Sequence, residues 1–120
     1  MKRAPLVLAC FLTLPSGVYG PPACQARLEL VRQAQFLTVT GHCRNLLDAP
    51  ARYRYQLLVR HQSAGGQSQN KQAGEFTLLP QQEAVLSRVQ LQASPQDHYS
   101  AKLLIFDEAG RAVAQDSTSQ

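Results

Sequence analysis

The sequence contains no tryptophan, one methionine and three cysteines, and it has none of the short motifs that mark common catalytic sites. A Gly-x-Ser-x-Gly elbow, a phosphate-binding glycine loop, a His-Glu-x-x-His pair and a Cys-x-x-Cys redox pair are all missing. The three histidines stand apart from one another along the chain. These absences argue against an enzyme, and we expect no cofactor.

The positive charge of the chain is small once its first segment is set aside. The formal net charge is +4, and removing Lys2 and Arg3 leaves ten basic and eight acidic residues, so it falls to +2. Nucleic-acid binding relies on clustered positive charge and, for single strands, on aromatic platforms. With so little net charge and no tryptophan, no nucleic-acid partner is predicted.

The first twenty residues have the pattern of a cleaved secretory signal peptide. Lys2 and Arg3 precede an apolar run from Leu6 to Leu14, and a Pro-Ser-Gly break follows it. The run is too short to cross a bilayer of about 30 Å as a helix, and no later segment is apolar enough. We therefore predict a signal peptide at 1–20 and a single exported domain at 21–120, without a membrane anchor.

Two other interpretations of this leader stay open. The peptidase could cut after Ala23 instead of after Gly20. Alternatively, Val7 to Cys10 has the look of a lipoprotein cleavage box, although cleavage there would leave an unusually short apolar core.

Beyond the leader, apolar and polar residues alternate with a period of two, which is typical of half-buried strands. Seven short segments carry the pattern or the flanking turn signals: 27–32, 36–40, 52–60, 75–78, 85–91, 99–106 and 111–115. No helical period is evident. The sequence predicts an all-β protein, an immunoglobulin-like (fibronectin type III-like) seven-stranded antiparallel β-sandwich.

Cys24 and Cys43 are the two cysteines that remain after processing, and we predict a disulfide between them. A hairpin centred on Gln33-Ala34 would place the two cysteines directly opposite each other. The bond would contribute roughly 3 kcal/mol in the loop-entropy model. Two free buried thiols are the alternative. A metal site that adds His42 lacks two of the four protein ligands that structural zinc needs, so no metal is predicted.

Pro95 stands four residues before Tyr99, which opens the most apolar strand. This spacing resembles a tyrosine corner, in which the phenol reaches back to the backbone a few residues upstream. The alternative is an ordinary proline turn followed by a core tyrosine.

Three arginines of the predicted third strand form a basic stripe: Arg52, Arg54 and Arg60. Each is an even number of residues from the others, so all three project from the same side of the strand. Arg44 and Lys71 are candidates to extend it. The alternative is a solvated sheet face without a binding role. Residues 63–74 contain no aliphatic side chain larger than alanine apart from the lysine stem, which predicts an exposed hairpin tip and a polar edge strand.

The chain resembles the curli accessory family of CsgC and CsgH, and its opening segment and third strand resemble the CsgH branch more closely. The segments that carry the resemblance are 24–28, 53–59, 66–72, 76–80 and 91–97. The family implies an immunoglobulin-like sandwich in the periplasm of a Gram-negative bacterium that prevents premature amyloid assembly of curli subunits. One branch carries a Cys-x-Cys motif associated with a redox role, and this chain lacks that motif.

We therefore predict a monomeric, chaperone-like inhibitor whose partner is an amyloid-forming curli subunit. The hypothetical client-binding residues come from the basic stripe and the polar edge: Arg52, Arg54, Arg60, Gln67, Gln69 and Lys71. Another envelope protein-binding or fimbrial accessory module is the alternative function. A thiol-redox protein built on Cys24, Cys43 and His42 is a further one.

Overall fold

The computed structural model describes residues 22–120, so the predicted signal peptide lies outside the described residues. Seven antiparallel strands form two sheets, and no helix occurs between residues 22 and 120, which confirms the all-β class. The strands are β1 (Cys24–Gln33), β2 (Phe36–Asn45), β3 (Ala51–Ser63), β4 (Gly66–Leu78), β5 (Glu83–Gln92), β6 (His98–Phe106) and β7 (Ala112–Ser119). Nothing in this part of the chain is a helix that could span a membrane.

The two sheets enclose one core between their inner faces. The smaller sheet has the order β1-β2-β5 and the larger the order β4-β3-β6-β7. Leu57 and Leu103 face each other across β3 and β6, and both are fully buried, as is Val39 from the smaller sheet. Each such side chain contributes about 1.5–3 kcal/mol by leaving water. The alternation of the sequence therefore sorts the residues of each strand into a core side and a solvent side.

The β1–β2 hairpin differs from its predicted register by two residues. The turn is Ala34-Gln35, so Gln33 pairs with Phe36, and Cys24 lies opposite Asn45 rather than Cys43. Ala34 adopts the left-handed backbone region, with φ of 56°. A shift of two residues keeps every side chain on its predicted face, so both cysteines still point into the core.

The fifth strand contains a bulge that the alternation did not predict. His42 pairs with Val85 and Gly41 pairs with Ser87, so Leu86 has no partner in the ladder. An extra residue reverses the face of all residues beyond it. Val85 is consequently 54% exposed. Regular alternation through the predicted segment 85–91 would place it on the buried face of Val89, so that part of the prediction was wrong.

Tyr99 is buried, but it does not form the predicted tyrosine corner. Its hydroxyl donates to Oε1 of Gln120 at 2.7 Å and accepts a hydrogen bond from Arg32 at 2.9 Å. The turn before it is instead held by Asp97, whose carboxylate accepts hydrogen bonds from the Ser94 amide at 2.9 Å and from His61 at 2.8 Å. The phenol therefore joins β6 to the end of the chain and to β1.

Candidate binding surface

The outer face of the four-stranded sheet brings together all six of the predicted client-binding residues. Arg60 pairs with Gln69 across β3 and β4, and Gln62 pairs with Gln67. Lys71 lies opposite Leu58, two residues from Arg60. Directly opposed residues of an antiparallel pair point to the same face. The residues predicted on β3 and those predicted on β4 therefore lie on one surface.

Lys102 is a further cation on this face. It pairs with Leu58 from the β6 side, so Leu58 separates it from Lys71. Alternation with the apolar neighbours Ala101 and Leu103 predicts that Lys102 faces outward. Its position beside β3 depends on a long-range strand pairing that the sequence does not reveal. We define the basic face by its five cations: Arg52, Arg54, Arg60, Lys71 and Lys102.

Most of these cations have no acidic partner. Glu75 contacts Arg52 at 3.1 Å, and both side chains are more than half exposed, so the pair contributes at most about 1 kcal/mol. Among the described residues, no carboxylate lies within ion-pair distance of Arg54, Arg60 or Lys71, or of Lys102. Four positive charges are therefore free to act on a ligand.

The outer face of the three-stranded sheet is different, because its charges neutralise one another. Glu83 contacts Arg27 at 3.0 Å and Arg44 at 3.6 Å, and His42 lies between Glu29 at 3.0 Å and Glu83 at 3.4 Å. The hydrogen bond from Arg27 is the main cause of the lowered pKa of Glu83. Arg44 belongs to this network, so the prediction that it extends the basic stripe was wrong.

The predicted polar edge strand is present as the first half of β4. Each residue from Gly66 to Lys71 is exposed, and the pairing with β3 runs to Leu78 without a bulge. Beyond it, the inward-facing Gln72 accepts a hydrogen bond from Ser87 of β5, and from there on exposed and partly buried residues alternate along β4. A shallow hollow at the hairpin end of the basic face is lined by Arg60, Gln69, His98, Ser100 and Ser119.

The two cysteines are buried as free thiols, and they are diagonal neighbours on the inner face of the β1–β2 hairpin. Their mutual hydrogen bond lowers the pKa of Cys24, and together with burial it raises that of Cys43. Burial also raises the pKa of the neighbouring Tyr53 to about 12. The bond between the sulfurs stays a prediction.

His42 cannot join these thiols, since consecutive residues of a strand point to opposite faces. It lies on the outer face while Cys43 lies in the core. Within residues 22–120, no group of three His, Cys, Asp or Glu side chains is arranged to hold a metal ion.

Together these features define a small all-β protein whose distinctive surface is a basic sheet face beside an uncovered polar edge. The family model described as "Thin aggregative fimbriae synthesis protein" (Tafi-CsgC) matches residues 22–116. The chain belongs to this family, which confirms the resemblance to the curli accessory proteins CsgC and CsgH.

Solved structures agree with this assignment. The solution structure of CsgH from R. palustris is 26% identical, with a TM-score of 0.63 over 78% of this chain and 89% of that one. The E. coli curli protein CsgC is 22% identical, with a TM-score of 0.65 over 78% and 96%. These values do not separate the two branches, so the closer likeness to CsgH stays a prediction.

A more distant likeness shows the fold alone. A β-glucuronidase from Bacteroides uniformis matches 82% of this chain with 14% of its own, at 7% identity and a TM-score of 0.59. No curated protein matches significantly.

Proposed function

We propose that this chain is a periplasmic client-binding protein that holds amyloid-forming curli subunits and prevents their premature assembly into fibres. The observation that carries the proposal is the basic face, where four unpaired cations lie beside an exposed Gln/Ser/Asn edge in a member of the curli accessory family. Neighbours described as CsgH and as a curli protein, CsgC, support the choice of client.

The charge distribution supports a role in capture. A surface of one sign raises the encounter rate with an oppositely charged partner without requiring a deep pocket. Because the mature chain has a net charge of only +2, the excess of four on the basic face is offset in part by a net charge of −2 on the rest of the chain. Such asymmetry orients an acidic client toward this face, and the proposed role is binding rather than catalysis.

The first test follows amyloid formation of a curli-type subunit by dye fluorescence, with residues 21–120 added at substoichiometric amounts. We expect a longer lag phase at 0.01 M salt than at 0.15 M, because the screening length falls from about 30 Å to about 8 Å. An equal delay in both would keep the inhibitor function and remove steering by the basic face. No delay at any ratio would contradict inhibition of that client and favour another envelope partner.

Arg60 and Arg88 provide a matched pair of variants for this assay. Both are exposed strand cations without a carboxylate partner among the described residues, but Arg88 lies in β5 of the other sheet. At low salt, Arg60→Gln is expected to slow association about two- to fivefold, while Arg88→Gln leaves it nearly unchanged. Equal effects of the two would show that only net charge matters.

The immunoglobulin-like label also belongs to this proposal. It is supported by seven antiparallel strands divided three and four between two sheets. The hydrogen bonds of Tyr99 differ from those of the tyrosine corner that many such domains share.

A further inference from the structure

The four edges of the two sheets are not equally open. On one side, β1 packs against β7, and the carboxylate of Asp116 accepts a hydrogen bond from the Leu28 amide at 2.8 Å. On the other side, β5 is bent by its bulge at Leu86. The remaining edge, β4, has thirteen residues and a continuous ladder to β3, and each of its residues from Gly66 to Lys71 is exposed. The segment 66–71 is therefore the most accessible place for another strand to pair.

The turn of the β3–β4 hairpin determines which backbone groups of this segment are free. The turn has two residues, so the flanking pair, Ser63 and Gly66, is the hydrogen-bonded one, and hydrogen-bonded and open pairs alternate from there. The amides of Ser68 and Asn70 consequently point to β3. Those of Gln67, Gln69 and Lys71 point away from the sheet, and their side chains lie on the basic face.

We propose that the β4 edge at 66–71 captures its client by β-strand addition. The occupant is an extended polypeptide segment with amide or acidic side chains at alternate positions. The inference rests on the proposed function, since it specifies how the same client would be held. The outward amides and carbonyls of the edge would bond to the backbone of the added strand, as in other peptide-binding sheets.

Side-chain chemistry identifies the occupant. Every second residue of the added strand would lie beside Gln67, Gln69 or Lys71 on the basic face. Amide side chains there can form cross-strand hydrogen bonds with the two glutamines, and an acidic one can pair with Lys71. About six residues, or roughly 20 Å of strand, would be engaged.

A second copy of this chain is a poor occupant for the same edge. Two antiparallel β4 strands would form one continuous sheet whose basic faces lie on the same side. Eight unpaired cations would then share that surface, and like charges at close range oppose such pairing.

The test combines amide hydrogen exchange by NMR on residues 21–120 with a synthetic eight-residue peptide that alternates Asp or Gln with Ser. We expect the peptide to slow exchange at Gln67, Gln69 and Lys71 about tenfold or more, the factor that one hydrogen bond of about 1.4 kcal/mol provides. Exchange at Ser68 and Asn70, which already bond to β3, should not change. A control peptide methylated on its edge-facing amide nitrogens keeps its charge and should not bind.

Two variants separate backbone pairing from side-chain contacts. Gln69→Pro removes an outward N–H at a position where an edge strand tolerates proline, and it should weaken peptide binding about tenfold. Gln69→Ala keeps that N–H and should bind nearly as the parent does. Slow exchange at Ser68 and Asn70 in both variants would show that the hairpin remains folded.

The inference would be overturned if the methylated peptide bound as well as the unmethylated one, or if neither peptide bound. It would also fail if Gln69→Pro bound the peptide as tightly as the parent chain does. Protection of the outward amides that grows with protein concentration alone would point to self-association instead. If Gln69→Pro still delays fibre formation as the parent does, the inhibitor function stands and the edge site falls. If the parent itself causes no delay, the proposed function falls, whatever the peptide does.

Discussion

Asn45, at the end of β2, shows how a single buried amide orders one end of the molecule. Its Nδ2 donates to the carbonyl oxygens of Ala49 at 2.9 Å, Leu79 at 3.1 Å and Leu78 at 3.3 Å. Its Oδ1 accepts from the Leu47 amide at 3.0 Å. The side chain is fully buried, so these bonds connect the β2–β3 loop to the turn after β4 without competition from water.

We therefore predict that Asn45→Ala lowers the free energy of unfolding by about 2–4 kcal/mol, because it leaves several buried polar groups unsatisfied. Urea unfolding monitored by circular dichroism measures the change. Gln90→Ala, at an exposed position of β5, is the control and should change stability by less than about 0.5 kcal/mol. A similarly small effect at Asn45 would mean that water replaces its bonds.

At the scale of elements, the β1–β2 hairpin carries the cysteine pair. Cys24 lies opposite Asn45 and Cys43 opposite Ala26, so the thiols are diagonal neighbours on the inner face. Because the two side chains are diagonal neighbours that point into the same core, we expect oxidation to need little movement of the strands. A bond here would join the start of β1 to the end of β2, where the pairing would otherwise fray.

We predict that the exported chain is oxidised at Cys24 and Cys43 and that oxidation stabilises it by roughly 3 kcal/mol relative to the reduced form. Thiol titration of the denatured protein and urea midpoints with and without reductant measure the two quantities. The reduced chain should retain the same sheets, because both thiols are already buried in the core. Two titratable thiols in protein purified from the periplasm would contradict the prediction.

The face on which a strand residue lies follows from the sequence more readily than the neighbours of that strand do. The two faces of β3 follow from period two alone, since Tyr53, Leu57 and Val59 are buried between exposed arginines. Period two does not predict the position of Lys102 beside β3, which depends on a long-range strand pairing. Nor does it predict the face of Val85, which depends on a bulge. Local alternation identifies faces, whereas neighbours and irregularities are set by contacts between distant segments.

At the scale of the whole molecule, carboxylates that accept hydrogen bonds relate stability to pH. The Ser94 amide and then His61 hold the pKa of Asp97 below its usual range, and the Arg111 amide does the same for Asp107. The hydrogen bond from Arg27 lowers the pKa of Glu83. A depressed folded-state pKa contributes stability that is present above the unfolded value and is lost as the pH falls through the folded value.

The chain should therefore lose stability progressively as the pH falls below the ordinary values of 4.5 for Glu83 and 3.8 for the two aspartates. Urea midpoints between neutral pH and pH of about 2.5 measure this slope. Asp97→Asn is expected to lower stability at neutral pH and to flatten the acid slope. Asp48→Asn, at an exposed loop position, is the control and should leave the slope unchanged.

The unequal edges of the two sheets bear on how this chain would affect the growth of a polymer. A growing fibre needs subunits that are bivalent, each with one strand edge to join the end and another to receive the next subunit. With Asp116 closing one side and a bulge in β5, β4 is the most open edge between residues 22 and 120, and pairing through it alone would make the chain in effect monovalent. Attached to a fibre end through that edge, it would act as a chain terminator, so one molecule could block the addition of many further subunits.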